Sequence, residues 1–164
     1  MAPVRAFVAL GGNVGDTAAR FDAACAALAA ASDVELLRRS SNVVTAPVGG
    51  PPGQRDYLNA VVELETTLAA RALLELLQEV ERANGRERTL EERWGPRTLD
   101  LDLLLHGAAR VTEPGLTVPH PRLEERSFVL APLAELAPEL VLAGCGRSVA
   151  ERLTELESSE ARAR

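Results

Sequence analysis

The sequence contains no lysine: all 18 of its basic residues are arginine. That absence excludes mechanisms built on a lysine, including a Walker-type phosphate loop. Aromatic residues make up only 3% of the chain, so Phe7, Phe21, Tyr57, Trp94 and Phe128 each need a reason for their position. Two cysteines, Cys25 and Cys145, are too few for a disulfide framework or a cysteine-based metal cluster. Cys25 falls on a helical apolar stripe and reads as a small core residue. No apolar run is long enough to span a membrane, and the first residues lack a secretory leader pattern. A reducing cytoplasm is the expected location. The net charge of −6 speaks against a nucleic-acid surface. Neither a nucleic acid nor a membrane is therefore expected as a partner, and an anionic ligand would need a local basic cluster.

What remains is an ordinary globular composition, 46% hydrophobic and 26% charged over 164 residues. That is enough chain for one domain, residues 1–164, with a sizeable core. The apolar run Val4–Leu10 reads as a buried strand, with a turn at Gly11-Gly12-Asn13 where Asn13 tolerates a left-handed conformation. Three-four spacing predicts helices over 17–31 and 69–84. Strands are expected over 34–44, 57–65 and 98–105. The Pro- and Gly-rich stretch 45–56 must be a loop, and a loop of that length is more often functional than idle. A second, charged loop covers 86–96. Further on come a short strand near Val111, an extended piece ending at Pro119, and helices over 128–136 and 148–157. This order predicts an α+β sandwich of the ferredoxin-like kind: a mainly antiparallel sheet, helices packed on one face, and extra C-terminal helices.

The run RWGPRTLDLDLLL, residues 93–105, carries the strongest chemical signal. Residues two apart in a strand share a face, so Asp100 and Asp102 point together with Cβ atoms about 6.5 Å apart. Leu99, Leu101 and Leu103 point the other way, toward the core. Two adjacent carboxylates repel each other unless a cation lies between them, and a small set of hard oxygen ligands suits magnesium. Alternating Asp and Leu also describes the solvated face of an edge strand. The neighbours favour the first reading: Arg82, Arg86, Arg88, Arg93 and Arg97 crowd just before the acidic pair, and Arg122 and Arg126 follow. Arginine forks match phosphate oxygens. By the same alternation, Tyr57 and Asn59 fall on the face of their strand opposite Leu58 and Ala60. His106, before Gly107, reads as a surface turn.

These blocks resemble the 6-hydroxymethyl-7,8-dihydropterin pyrophosphokinase family. The resemblance rests on RWGPRTLDLDLLL together with LGGN (10–13), DYLNAVVELET (56–66) and LTVPHPRLEERSFVLAPL (116–133). They stand in the family's order and spacing over about residues 4–142. The resemblance implies transfer of diphosphate from ATP to the hydroxymethyl group of a dihydropterin, with AMP released, in folate biosynthesis. It implies two magnesium ions on Asp100 and Asp102, and Arg86 and Arg97 as catalytic charge neutralisers. On the ATP side it implies Gln78, Glu81, Arg88, Trp94, Arg97, Leu103, Thr117, His120 and Arg126. Around the pterin it implies Thr45, Pro47, Val48, Tyr57, Asn59, Trp94, Asp100 and Phe128, with Tyr57 and Phe128 stacking on the ring. It further suggests a monomer. The chain departs from the family pattern at Thr89-Leu90-Glu91, Gly115 and Pro121, which bears on nucleotide contacts. Trp94 and the arginines of 86–96 read as a lid over the ligands. Two other classes compete with this reading: a metal-dependent phosphohydrolase using the same Asp pair, and a ferredoxin-like RNA-binding module. The second is short of strand aromatics and of positive charge.

Overall fold

The computed structural model describes residues 2–47, 49–85 and 98–163. The central strand β1 (Val4–Gly12) is nearly all apolar, as a strand covered on both sides must be. It lies antiparallel between β4 (Tyr57–Thr66) and β5 (Asp100–His106). Strands β2 (Val34–Arg39) and β3 (Val43–Thr45) pair in tandem along the other edge of β4. A separate hairpin joins β6 (Val111–Glu113) and β7 (Leu116–Val118).

One sheet face presents Ala6, Val8, Leu10, Ala60, Val62, Leu64, Leu101 and Leu103. Over it pack α1 (Thr17–Ala30), through Phe21, Ala24 and Leu28, and α2 (Ala70–Ala83), through Leu73 and Leu77. Each fully buried Phe or Leu contributes about 1.5–3 kcal/mol relative to exposure. The other face carries Phe7, Ala9, Val61 and Leu104, covered by α3 (Ser127–Leu136) and α4 (Val149–Arg162). The expected α+β sandwich is therefore present, and the extra C-terminal helices give its second face a core of their own. Asn59, Gly11 and Asp100 lie further along that second face. Glu135 of α3 ties the helix to the β2–β3 junction, accepting hydrogen bonds from the Ser41 backbone N–H and hydroxyl at 2.9 and 2.8 Å.

Three local expectations are corrected. The single strand over 34–44 is two strands, because Ser40 interrupts it. Ser40 donates its N–H to Val61 O at 2.9 Å, while its hydroxyl accepts the Val61 N–H at 2.9 Å. A side-chain oxygen thus replaces a backbone carbonyl and lets the chain step outward. β1 does not turn at Gly11 but stays paired through Gly12. In β5 the pairing register shifts between Phe7 and Val8, so the alternation breaks at Leu104 and both Leu104 and Leu105 face the second core. The same shift leaves His106 buried, at 2.8 Å from Leu68 O through its Nε2, and not on a surface turn.

Candidate active site

Strand register assembles the site. Gly11 is paired with Asn59 on one side and Asp100 on the other. One step along, Ala9 is paired with Val61 and Asp102. Asn59, Asp100 and Asp102 thus share a face, with Asn59 and Asp100 about 10 Å apart across two strand spacings. Between them Gly11 contributes no side chain. A Cβ built there would lie 3.6 Å from Asn59 Oδ1, so the amide oxygen looks toward this bare floor. The Asn59 amide nitrogen faces the opposite way, donating to Thr45 Oγ1 at 2.9 Å and Val43 O at 3.4 Å. Tyr57 is paired with Thr45 at the start of β4 and is half-buried. Pro47 follows, half-buried.

Asp100 and Asp102 are half-buried, while the alternating Leu101 and Leu103 are in the first core. That is the alternation the strand reading required. Leu103 keeps its side chain in this core, paired opposite Val8. Among the described residues no group of three or more His, Cys, Asp or Glu side chains is placed to hold a metal ion. Two carboxylates on one strand face fit magnesium, which takes one or two protein carboxylates and completes its shell with water and phosphate. Beneath them, Glu81 of α2 is 1% exposed, and its Oε2 accepts the Leu101 backbone N–H at 2.8 Å. Gln78 lies one turn earlier, half-buried.

The segment after β7 closes the site from the other side. His120 donates its backbone N–H to Leu104 O at 2.9 Å, fixing the segment to β5. Its Nδ1 accepts the Arg122 N–H at 3.1 Å, which leaves Nε2 to carry the ring proton. Burial pushes the imidazole pKa down to about 4, and Arg126 and Arg122 push the same way while Asp100 opposes them. His120 is therefore neutral at pH 7, in the same electrostatic neighbourhood as Asp100 and Arg126. The Arg126 guanidinium lies 5.8 Å from the Phe128 ring centroid, and Phe128 packs on the second core. Thr117 is exposed on β7, paired with Thr112. Val48, Arg86, Arg88, Trp94 and Arg97, and with them the lid expectation, lie outside the described residues.

Asn13 has a function that the turn reading missed. It is 4% exposed, and its Nδ2 donates to Arg55 O at 2.9 Å and Gln54 Oε1 at 3.3 Å. Gln54 in turn donates to Gly49 O and Pro51 O at 3.3 and 3.2 Å. The polar pair holds the glycine-rich loop against the end of β1. The bare dipeptide Gly12-Asn13 carries no signal of this, because the partners lie some forty positions away. A shallow cleft of about 310 Å³ lined by Asp16, Ala19, Arg20, Ala23 and Asn84 belongs to the α1 and α2 side, away from this face.

The model of the 7,8-dihydro-6-hydroxymethylpterin-pyrophosphokinase family matches residues 7–138. The chain is 43% identical over 155 residues to the 2-amino-4-hydroxy-6-hydroxymethyldihydropteridine pyrophosphokinase of Methylorubrum extorquens, covering 94% of this chain and 95% of that one. The Bacillus subtilis enzyme of the same name is 45% identical over 135 residues, covering 82% of this chain and 79% of its own length. Among solved structures, Plasmodium falciparum HPPK-DHPS with pteroate superposes with a TM-score of 0.74 at 11% identity, over 95% of this chain. Another HPPK-DHPS structure, in complex with substrates, gives 0.72 at 12% over 96%. This chain spans 43% and 44% of those two longer proteins, so the likeness is one of fold. The chain belongs to the 7,8-dihydro-6-hydroxymethylpterin-pyrophosphokinase family.

Proposed function

We propose that this chain is a 2-amino-4-hydroxy-6-hydroxymethyldihydropteridine pyrophosphokinase of folate biosynthesis, an enzyme that moves diphosphate from ATP onto 6-hydroxymethyl-7,8-dihydropterin. The observation that carries it is the level shared by Asn59, Gly11 and Asp100 on one sheet face. A flat ring fits over the bare Gly11 floor, with Asn59 Oδ1 accepting from its polar edge and its hydroxymethyl arm toward the aspartates. Tyr57 and Phe128 supply stacking surface, and Thr45, Pro47 and Val48 the flanking wall.

In the reaction the substrate hydroxyl oxygen forms a bond to the β-phosphorus of ATP. The bond from that phosphorus to the α–β bridging oxygen breaks, AMP leaves, and the hydroxyl proton is released. Asp100 and Asp102 would hold the magnesium, two ions by the family likeness, which when bound neutralises and orients the triphosphate. His120 offers an uncharged Nε2–H donor and Arg126 a guanidinium to the phosphates. Gln78 and Thr117 border the nucleotide, Glu81 and Leu103, both buried, act from behind β5, and Arg86, Arg88, Trp94 and Arg97 complete the site.

The same reading makes the chain a single domain, acting as a monomer in the cytoplasm. Its free cysteines, Cys25 buried and Cys145 exposed, suit a reducing compartment. Product analysis tests the activity: AMP should form only when ATP, magnesium and the pterin are all present. ADP or phosphate released without pterin would replace transfer with hydrolysis.

A further inference from the structure

The segment that carries His120, Arg122, Arg126 and Phe128 is short and mostly irregular. Its only regular part before α3 is the 3-10 turn Leu123–Glu125. Its start is pinned by the His120 N–H on Leu104 O and by Leu123, which is buried in the second core. It is gripped from behind by the C-terminal helix. Arg152 of α4 donates its Nε–H to Glu124 O at 2.8 Å, in a partly buried position. Glu160, near the end of α4, accepts from the Ser127 hydroxyl at 3.0 Å. Between these points Leu153 and Leu156 pack against the second core, as Phe128 does.

The tail is itself shaped for this. A capping box between Ser148 and Glu151 starts α4 at a defined residue. Val149 N–H to Leu140 O and Ala150 N–H to Pro138 O, at 2.8 and 3.1 Å, fold the tail back along α3. Gly144 lies against the Glu124 carboxylate so closely that a Cβ there would clash with Glu124 Oε2. Glu124, whose carbonyl Arg152 holds, stands midway in sequence between Arg122 and Arg126, the two cations that add to burial in depressing the His120 pKa.

We propose that α4 is a strut for the phosphate-facing segment and that Arg152 is a positioning residue for ATP, acting through the Glu124 carbonyl without touching the nucleotide. The proposal rests on the assignment of His120 and Arg126 to the triphosphate. Removing the Arg152 donor would free the 122–126 backbone to sample other arrangements, so the arginines would have to be ordered at binding. Pterin affinity would change little, because Asn59, Thr45 and Tyr57 are held by β-sheet pairing and Phe128 by its own core packing.

The test is calorimetric titration of the whole chain with MgATP and, separately, with 6-hydroxymethylpterin. Arg152→Met keeps the aliphatic stem and removes the donor. It should weaken MgATP by roughly tenfold, the effect of losing one charge-assisted hydrogen bond of organisation, and leave pterin within about twofold. Arg152→Lys, which keeps a cationic donor of similar reach, should restore most of the MgATP affinity. Arg152→Gln, too short to reach the carbonyl, gives the same comparison if Arg152→Met fails to fold. Equal loss for both ligands, no loss for either, or no rescue by lysine would overturn the strut. Arg126→Ala runs alongside. If that variant binds MgATP normally, the phosphate assignment itself falls and the strut falls with it. If Arg126→Ala is impaired and Arg152→Met is not, only the strut fails.

Discussion

Glu81 accepts the backbone N–H of Leu101 at 2.8 Å, and Leu101 is the residue between the two aspartates. A carboxylate almost wholly removed from solvent thus holds the strand from the α2 side while Asp100 and Asp102 project from the opposite face. Glu81→Gln keeps an acceptor oxygen in place and should keep the strand position. Glu81→Leu leaves the Leu101 N–H without that acceptor, at a cost of about 1–3 kcal/mol. The leucine variant should also need more magnesium for half-maximal turnover than the glutamine variant. Thermal unfolding and a magnesium titration read the two effects. Identical magnesium curves would show that Glu81 steadies the fold and not the aspartates.

Asp100→Asn and Asp102→Asn should each reduce turnover by orders of magnitude while keeping the fold, since an amide of the same shape replaces a half-buried carboxylate. Steady-state rates at saturating magnesium, with melting curves alongside, decide this. Near-normal rates in both variants would remove these residues from the chemistry.

Gly11 offers a test of the floor. Its backbone needs no left-handed conformation, and a Cβ there would make only ordinary contacts, the nearest at 3.6 Å. Gly11→Ala should therefore fold normally and bind pterin with modest loss. Gly11→Val adds two methyl groups between Asn59 and Asp100 and should weaken pterin by about tenfold or more, with much less effect on MgATP. Separate titrations of each ligand are the measurement. Unchanged pterin affinity in the valine variant would place the ring elsewhere.

His120 should titrate near the depressed value of about 4 in the free protein. In the unfolded chain it takes up its proton near 6.5. Between those values the unfolded state binds more protons, so this histidine makes stability fall as pH drops from about 6.5 toward 4, with no contribution to the slope above that window. His120→Gln should flatten that part of the stability curve. Bound triphosphate favours the imidazolium, so MgATP should raise the His120 pKa, and ring-nitrogen NMR would follow it. An unperturbed histidine, or one blind to MgATP, would contradict the assignment.

Two-residue alternation alone determined which faces Asp100, Asp102, Tyr57 and Asn59 occupy, and three-four spacing determined α1 and α2. Those are local properties, set by the backbone period and by which neighbours are apolar. The ordered blocks likewise made the family legible, because each is a contiguous string. What the sequence could not show is which groups meet across the chain. Ser40 breaking a strand against Val61, Asn13 holding Gln54 and Arg55, and Glu81 reaching Leu101 are polar side chains of ordinary appearance in sequence. Their partners lie 20 or more residues away, and only the path of the folded chain selects them. The shift at Leu104 belongs here too, since a strand's register is set by its neighbours and not by its own pattern. The tertiary structure likewise decided that His120 stays neutral, because its depressed pKa comes from burial and from Arg126 and Arg122 brought close by the fold.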